Sequence, residues 1–359
     1  MSSNTRTNRE NDSAVAAADE IGGGHEPNSP QGRLKQVLMR QDVILLGVLI
    51  AMVAFFTSMN PLFLSTNSLA NVLQDWAPVM LLAIGQTYVI ITAGIDLSVG
   101  STLGLAGVSG ALIIRQLHES AVDPTVAIML GLLTALVVGA TVGLINGLLI
   151  TRVKLAPFIA TLATMGAGAG AILVLTKGVQ IAGGPREVVT LGTTRVLGVL
   201  TIPLLIVIVI LVIAWLVLEQ TRFGRWNYAI GSNSFAARAA GINVDLHLIK
   251  VYMLSGLMAG FAGMFLYLRL GSGSPTSGSG YELTAIAAVV IGGTSLFGGS
   301  GKMSGTVLGA FITTSVLSGL ILIGVGPYWQ QVVVGVLIAI AVGMQQVGAG
   351  KLKRGATSA

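Results

Sequence analysis

Ten apolar stretches, each close to the roughly 20 residues that an α-helix needs to cross a bilayer, follow one another from Arg40 onward. They lie near 42–59, 69–93, 97–115, 124–150, 157–176, 202–218, 250–270, 281–298, 303–323 and 328–346. This pattern leaves few folds open. In hydrocarbon every backbone amide must be paired inside the protein, and runs of this length pair as helices. Composition agrees: 53% of the residues are hydrophobic and 9% are charged, against about 25% charged in a soluble domain. The sequence predicts an all-α, polytopic membrane protein of about ten transmembrane helices. Its 48 glycines suit close helix contact, because small residues let backbones approach in a bilayer.

Residues 1–32 are polar and lack the apolar core of a signal peptide, so they read as a disordered cytoplasmic tail with His25 solvated in it. The transmembrane domain is expected over 33–350, and a C-terminal tail over 351–359. There is no cysteine, which excludes disulfide frameworks and thiolate-held metals. Lysine and arginine test the orientation. Placing the N-terminus inside puts fifteen of the 20 on the cytoplasmic side and leaves Arg115, Lys177, Arg186, Arg195 and Arg269 outside, as the positive-inside rule requires. Both termini and the segment 219–250 are then cytoplasmic. The net charge of +6 reflects this distribution and does not signal nucleic-acid binding.

Four stretches lie between 69 and 176, one stands alone at 202–218, and four lie between 250 and 346. If the sets of four are repeats, the odd span between them makes their topologies opposite, giving two inverted four-helix sets. Each set holds a glycine-spaced run, GIDLSVGSTLG from Gly94 and GGTSLFGGSG from Gly292.

The segment 219–250 is a basic polar island in the apolar chain. Within it Ser232–Gly241 reads as a short helix: Ser232 or Ser234 can cap it, Ala236, Ala237, Ala239 and Ala240 favour it, and Gly241 suits its stop. Phe235, Ala239 and Ile242 fall on one small apolar face with Arg238 beside it. That face fits a groove on another protein or a bed of lipid headgroups.

Asp75, Asp96 and Glu282 are the carboxylates in or near the spans, and none has a basic partner at helical spacing. Such poverty of ionisable groups favours transport energised elsewhere over ion coupling. Asp96 sits in a sharp break between two spans, where it caps a helix starting at Leu97 or lines a cavity. If the preceding helix begins at Pro78, its 16 residues rise roughly 24 Å, which would leave the break at membrane depth. Asp96, Ser98 and Ser101 would then line a path for a hydroxylated solute. Thr161, Thr164 and Gly168 form a second polar and small stripe, and Gln86, Thr92 and Asn146 add hydrogen-bonding groups that serve as helix glue or as solute contacts. No phosphate-binding loop of the G-x-x-x-x-G-K-[ST] type is present. His118 and His247 stand apart, so neither an ATP site of that kind nor a metal site is read from the sequence.

The motifs resemble the inner-membrane permease subunits of ribose-, xylose- and arabinose-type ABC importers over most of residues 60–346. The likeness is carried by GQTYVIITAGIDLSVGS from Gly85, PFIATLATM from Pro157, the island ending AGINV, and GYELTAIAAVVIGGTSLFGG from Gly280. It implies a multi-pass protein of the bacterial cytoplasmic membrane that pairs with a second permease copy, two cytoplasmic ABC ATPase domains and an extracytoplasmic solute-binding protein. No cofactor and no catalytic residue are implied. It further implies that Asn233, Phe235, Ala236, Ala237, Arg238 and Gly241 belong to a coupling helix docking on the ATPase. The candidate translocation path is Gln86, Asp96, Ser98, Ser101, Thr161 and Thr164. Where relatives commonly read Gly-Gly-Asn-Glu, this chain has Gly231 followed by Ser, Asn and Ser. The competing classes are an ion-coupled secondary carrier using Asp96 or Glu282, and a membrane scaffold without transport.

Overall fold

The computed structural model describes residues 41–196 and 198–356, so the expected tail 1–32 lies outside the described residues. The chain forms α1 (Gln41–Met59), a short 3-10 turn (Pro61–Leu64), α2 (Thr66–Ile91), α3 (Val99–Glu119), α4 (Pro124–Thr151) and α5 (Pro157–Thr176). There follow α6 (Arg186–Thr193), a two-stranded hairpin of β1 (Arg195–Val196) and β2 (Leu200–Thr201), α7 (Ile202–Gln220), α8 (Arg222–Ser232) and α9 (Ser234–Ala239). The chain closes with α10 (Val244–Leu270), α11 (Tyr281–Ile291), α12 (Met303–Leu322) and α13 (Pro327–Ala356). Among the described residues, six helices (α1, α4, α5, α7, α10 and α12) are by length and composition able to cross a membrane.

Local chemistry sets the helix ends. Ser65 accepts the Ser68 amide at 3.2 Å, Asp123 accepts that of Thr125 at 2.9 Å, and Asn243 accepts that of Leu246 at 3.0 Å, each satisfying a donor the helix leaves unpaired. Pro124 and Pro157 open α4 and α5, where their missing N–H costs nothing. Two expectations are corrected. Pro78 lies inside α2, which starts at Thr66 and runs 26 residues, about 39 Å of rise, so the condition of a short helix beginning at Pro78 is not met. The stretch 281–298 is helical over only 11 residues, after which the chain turns from Gly292 to Lys302.

At the centre is α10, packed on α2, α3 and α4; α11 and α12 pack on α2, while α5 lies outside α3. Of α10's apolar window 78% is buried, against 22% of α4's, so α10 is a core helix and α4 a peripheral one. With lipid tails as apolar as leucine, this packing rests on shape more than on removal from water. The seam between α4 and α10 shows how. A Cβ at Gly139 would run into the Gly256 carbonyl, and one at Gly256 into that of Gly139, so the two backbones touch with no side chain between them.

Candidate functional site

Two places combine chemistry-bearing residues: the break between α2 and α3, and the island that carries α9.

At the break, α2 ends in a Schellman closure. The Gly94 amide donates to the Val89 carbonyl at 3.1 Å and the Ala93 amide to that of Ile90 at 2.9 Å, with Ala93 in the left-handed region at φ 62°. Glycine usually takes that turn position, but here it stands one residue later, because a Cβ on Gly94 would strike the Tyr252 hydroxyl. The chain then brings Asp96 inward, 1% exposed. One carboxylate oxygen accepts the Ser98 amide at 3.0 Å and its hydroxyl at 2.6 Å, and the other accepts the Ser255 hydroxyl of α10 at 2.8 Å. Asp96 therefore holds an Asx turn, and α3 begins at Val99 behind Ser98 instead of at Leu97.

The network spreads across four further elements. Gln86 of α2 donates its amide to the Asp96 carbonyl. Asn146 of α4 donates to the Ser98 hydroxyl at 2.8 Å and accepts from Thr164 of α5 at 2.6 Å. Thr161 donates to the carbonyl of Ile95 at 3.2 Å and Ser101 to that of Ser98 at 3.0 Å. A Cβ on Gly168 would meet the Ser101 side chain at 2.9 Å, which places the whole Thr161–Thr164–Gly168 stripe against the break. All six candidate path residues thus gather in one cluster; five are buried and Thr164 is half-buried. The hydrogen bonds also run to one another and to backbone, so the cluster pins α2, α3, α4, α5 and α10 at a single point. Sequence reasoning missed Ser255 and Tyr252, which sit in the featureless apolar run of α10 and carry no local signal.

The island is equally specific. The short helix is narrower than Ser232–Gly241: Ser232 ends α8, and Asn233 caps α9 by accepting the Ala236 amide at 3.0 Å, not Ser232 or Ser234. Asn233 wins because its side chain, set on extended backbone, reaches forward to the amide three residues on. Gly241 stops the unit at φ 84° with open space around it. The expected apolar face is split. Phe235 is 80% exposed, and Ala236, Ala239 and Arg238 are exposed, whereas Ala237 is buried with Ile230 and Val244 and Ile242 packs on that cluster. Arg238 reaches Asp245 at 2.5 Å and Lys154 reaches the other oxygen of Asp245 at 3.3 Å, bracing α9 on α10 and on the α4–α5 joint.

Behind the knob, α8 is fastened to the end of α2. Buried Asn227 donates to the Tyr88 carbonyl at 2.8 Å and accepts from His247 at 2.8 Å, and the Tyr228 hydroxyl donates to the Gly301 carbonyl at 2.9 Å. The Gly299 amide donates to the Ile91 carbonyl at 2.9 Å, so the glycine-spaced run from Gly292 meets the last turn of α2, and a Cβ at Gly231 would collide with both groups. Asp75 also has a partner that helical spacing hides: Arg269 of α10 pairs with it, and Ser318 donates to its other oxygen at 3.3 Å.

Residues 68–342 match a family model described as branched-chain amino acid transport system / permease component. The chain belongs to this family. It is 41% identical over 312 residues to the ribose import permease protein of Escherichia coli (strain K12), covering 86% of this chain and 94% of that one. The ribose import permease protein of Bacillus subtilis (strain 168) is 45% identical over 299 residues, 83% of this chain and 90% of the relative. The galactose/methyl galactoside import permease protein of Escherichia coli (strain K12) is 37% identical over 316 residues, 84% and 92% respectively. No solved structure matches. The matched span of this permease family member contains both the Asp96 cluster and the island.

Proposed function

We propose that this chain is the permease subunit of an ATP-driven importer of a sugar in the bacterial cytoplasmic membrane. The observation that carries the reading is identity of 41–45% to ribose import permeases over more than four fifths of the chain. The chain would act with a second permease copy, two cytoplasmic ABC ATPase domains and an extracytoplasmic solute-binding protein, with both termini inside and about ten crossings. The basic residues expected outside support that orientation: Arg115, Lys177, Arg186, Arg195 and Arg269 all lie at or beyond the helix ends remote from the island. The two sets of four stretches on either side of α7 are then inverted repeats, the odd span between them reversing their topology.

On this reading α9 is the docking knob. Phe235, Ala236 and Arg238 face the ATPase, Asn233 and Gly241 fix the two ends of the knob, and Ala237 anchors it from inside. Displacement of the knob passes through α8, by Asn227 to Tyr88 and by Tyr228 to Gly301, into α2 and the 292–302 turn. The break that follows α2 moves with it. Gln86, Asp96, Ser98, Ser101, Thr161 and Thr164 are then a polar hinge bordering the route, with Thr164 nearest the surface. The test is reconstitution in vesicles with and without the ATPase subunit and binding protein. ATP-dependent sugar uptake that vanishes when the ATPase is omitted is expected, and uptake by this chain alone on an ion gradient overturns the reading.

A further inference from the structure

The outer face of α8 carries positive charge that nothing in the chain answers. Gly224, Asn227 and Ile230 bury the inner face of this helix, while Arg222, Arg225 and Trp226 stand exposed at i, i+3 and i+4 on the other. The Trp226 ring lies 6.1 Å from that of His247 on α10, and one turn further along α10 Lys250 is exposed as well. Among the described residues none of the three cations has an acidic partner. Arg225 donates to the Gln220 carbonyl at 3.4 Å, and Glu219, at the end of α7, forms no ion pair with either arginine. Arg238 and Lys154, by contrast, share Asp245.

Position in the fold narrows the class of partner. Helix α7 turns Val212, Ile213, Trp215 and Leu216 outward and ends at Gln220, two residues before Arg222. On a helix that crosses a bilayer those apolar side chains meet lipid tails, so the patch stands where hydrocarbon gives way to headgroups. Tryptophan settles at that level, and each Lys or Arg there is drawn to an anionic leaflet about fivefold. A phosphodiester tethered to acyl chains satisfies both halves of the patch: its oxygens meet the guanidinium forks, and its chains lie along α7. Helix α8 is also the strut between the knob and the membrane helices, through Asn227 to Tyr88 and Tyr228 to Gly301. Whatever holds its outer face sets the angle at which that strut works.

We propose that the outer face of α8, together with Lys250 of α10, binds the headgroup of an anionic phospholipid, and that this lipid steadies α8 for transmission from the ATPase. The site requires only that the island face the cytoplasmic leaflet; its consequence for transport rests on the sugar-importer reading. Since the chain has no cysteine, Leu246→Cys, exposed on α10 one turn before Lys250, gives the permease a single thiol to carry a bimane label before assembly. In nanodiscs of the full complex with ATPase and binding protein, doxyl-labelled phosphatidylglycerol quenches the bimane with an association constant about fivefold or more above that of doxyl-labelled phosphatidylcholine. The preference disappears in Arg222→Gln/Arg225→Gln/Lys250→Gln, and excess inorganic phosphate does not displace the lipid. Equal quenching by the two lipids overturns the site. So does displacement by inorganic phosphate, which marks a free-anion site, or a preference that is present in the permease alone and lost when the ATPase binds, which marks a protein-docking face. Sugar-stimulated ATP hydrolysis is the second readout. It runs about fivefold faster in nanodiscs of equal phosphatidylglycerol and phosphatidylcholine than in phosphatidylcholine alone. The triple variant, with no ion pair to lose, assembles with an unchanged melting temperature and is equally slow in both. A rate indifferent to lipid, or a triple variant that keeps the response, overturns the role in transmission. Equal quenching beside intact ATP-dependent uptake removes the lipid site and spares the importer reading, whereas ATP-independent uptake removes that reading while the quenching still reports the site.

Discussion

Replacing Asp96 separates the three things a buried carboxylate at a helix break can do. In the native chain it accepts three hydrogen bonds, from the Ser98 amide, the Ser98 hydroxyl and the Ser255 hydroxyl. Asp96→Ala removes both acceptor oxygens and with them all three bonds. The two hydroxyls can turn toward other groups, at about 1 kcal/mol each, but the Ser98 amide is fixed by the backbone, buried, and left unpaired at about 1–3 kcal/mol. The sum is about 3–5 kcal/mol, a large part of the 5–15 kcal/mol by which a typical domain is stable. Asp96→Asn keeps one oxygen for Ser98, and its new amide can donate to the Ser255 oxygen, so the loss stays within about 1 kcal/mol. Heating the purified permease in detergent and following the monodisperse peak by size-exclusion chromatography gives the ranking. Wild type and Asp96→Asn should melt within a few degrees of each other, with Asp96→Ala far below both. Equal tolerance of alanine and asparagine refutes the network as a structural pin, and an asparagine variant as unstable as the alanine one refutes acceptor geometry in favour of charge.

Gly241→Val meets no neighbouring atom, so its cost is the strain of a β-branched residue at φ 84°, about 1–2 kcal/mol; sugar-stimulated ATP hydrolysis in the complex should fall while detergent stability drops only slightly. Phe235→Ala should leave the melting temperature unchanged, because the ring is exposed, and should weaken capture of the ATPase subunit about tenfold in a pull-down titration. Gly139→Leu forces a side chain into the Gly256 carbonyl and should abolish the monodisperse peak, whereas Gly170→Leu, with nothing within 4 Å, should preserve it.

Much of this was legible in the sequence, because membrane helices announce themselves by length and hydropathy. The apolar stretches at 124–150 and 157–176 match α4 and α5 within a residue, helped by the prolines that open them. What failed was local competition. Pro78 suggests a helix start, but Ser65 offers a side-chain cap more than three turns earlier, and α2 runs straight through Pro78. The candidate path residues were found because polar groups stand out in an apolar chain, and the structure gathers them around one break. Their partners on α10 were invisible, since Ser255 lies 159 residues from Asp96 and nothing near it hints at a contact. A separation of 194 residues hid the Asp75–Arg269 pair, and with it a cavity whose walls come from four helices that the chain visits between residues 75 and 334.

One junction has a practical bearing on engineering. At Gly231 three strips of main chain, from α8, from the end of α2 and from the 292–302 turn, press together with no side chain as a spacer. Swapping the island between related transporters to change the motor they recognise therefore transplants one face of a three-sided joint. Hybrids that carry over residues 88–94 and 298–301 along with 219–250 keep the mating surfaces from a single parent, and these are the ones to build.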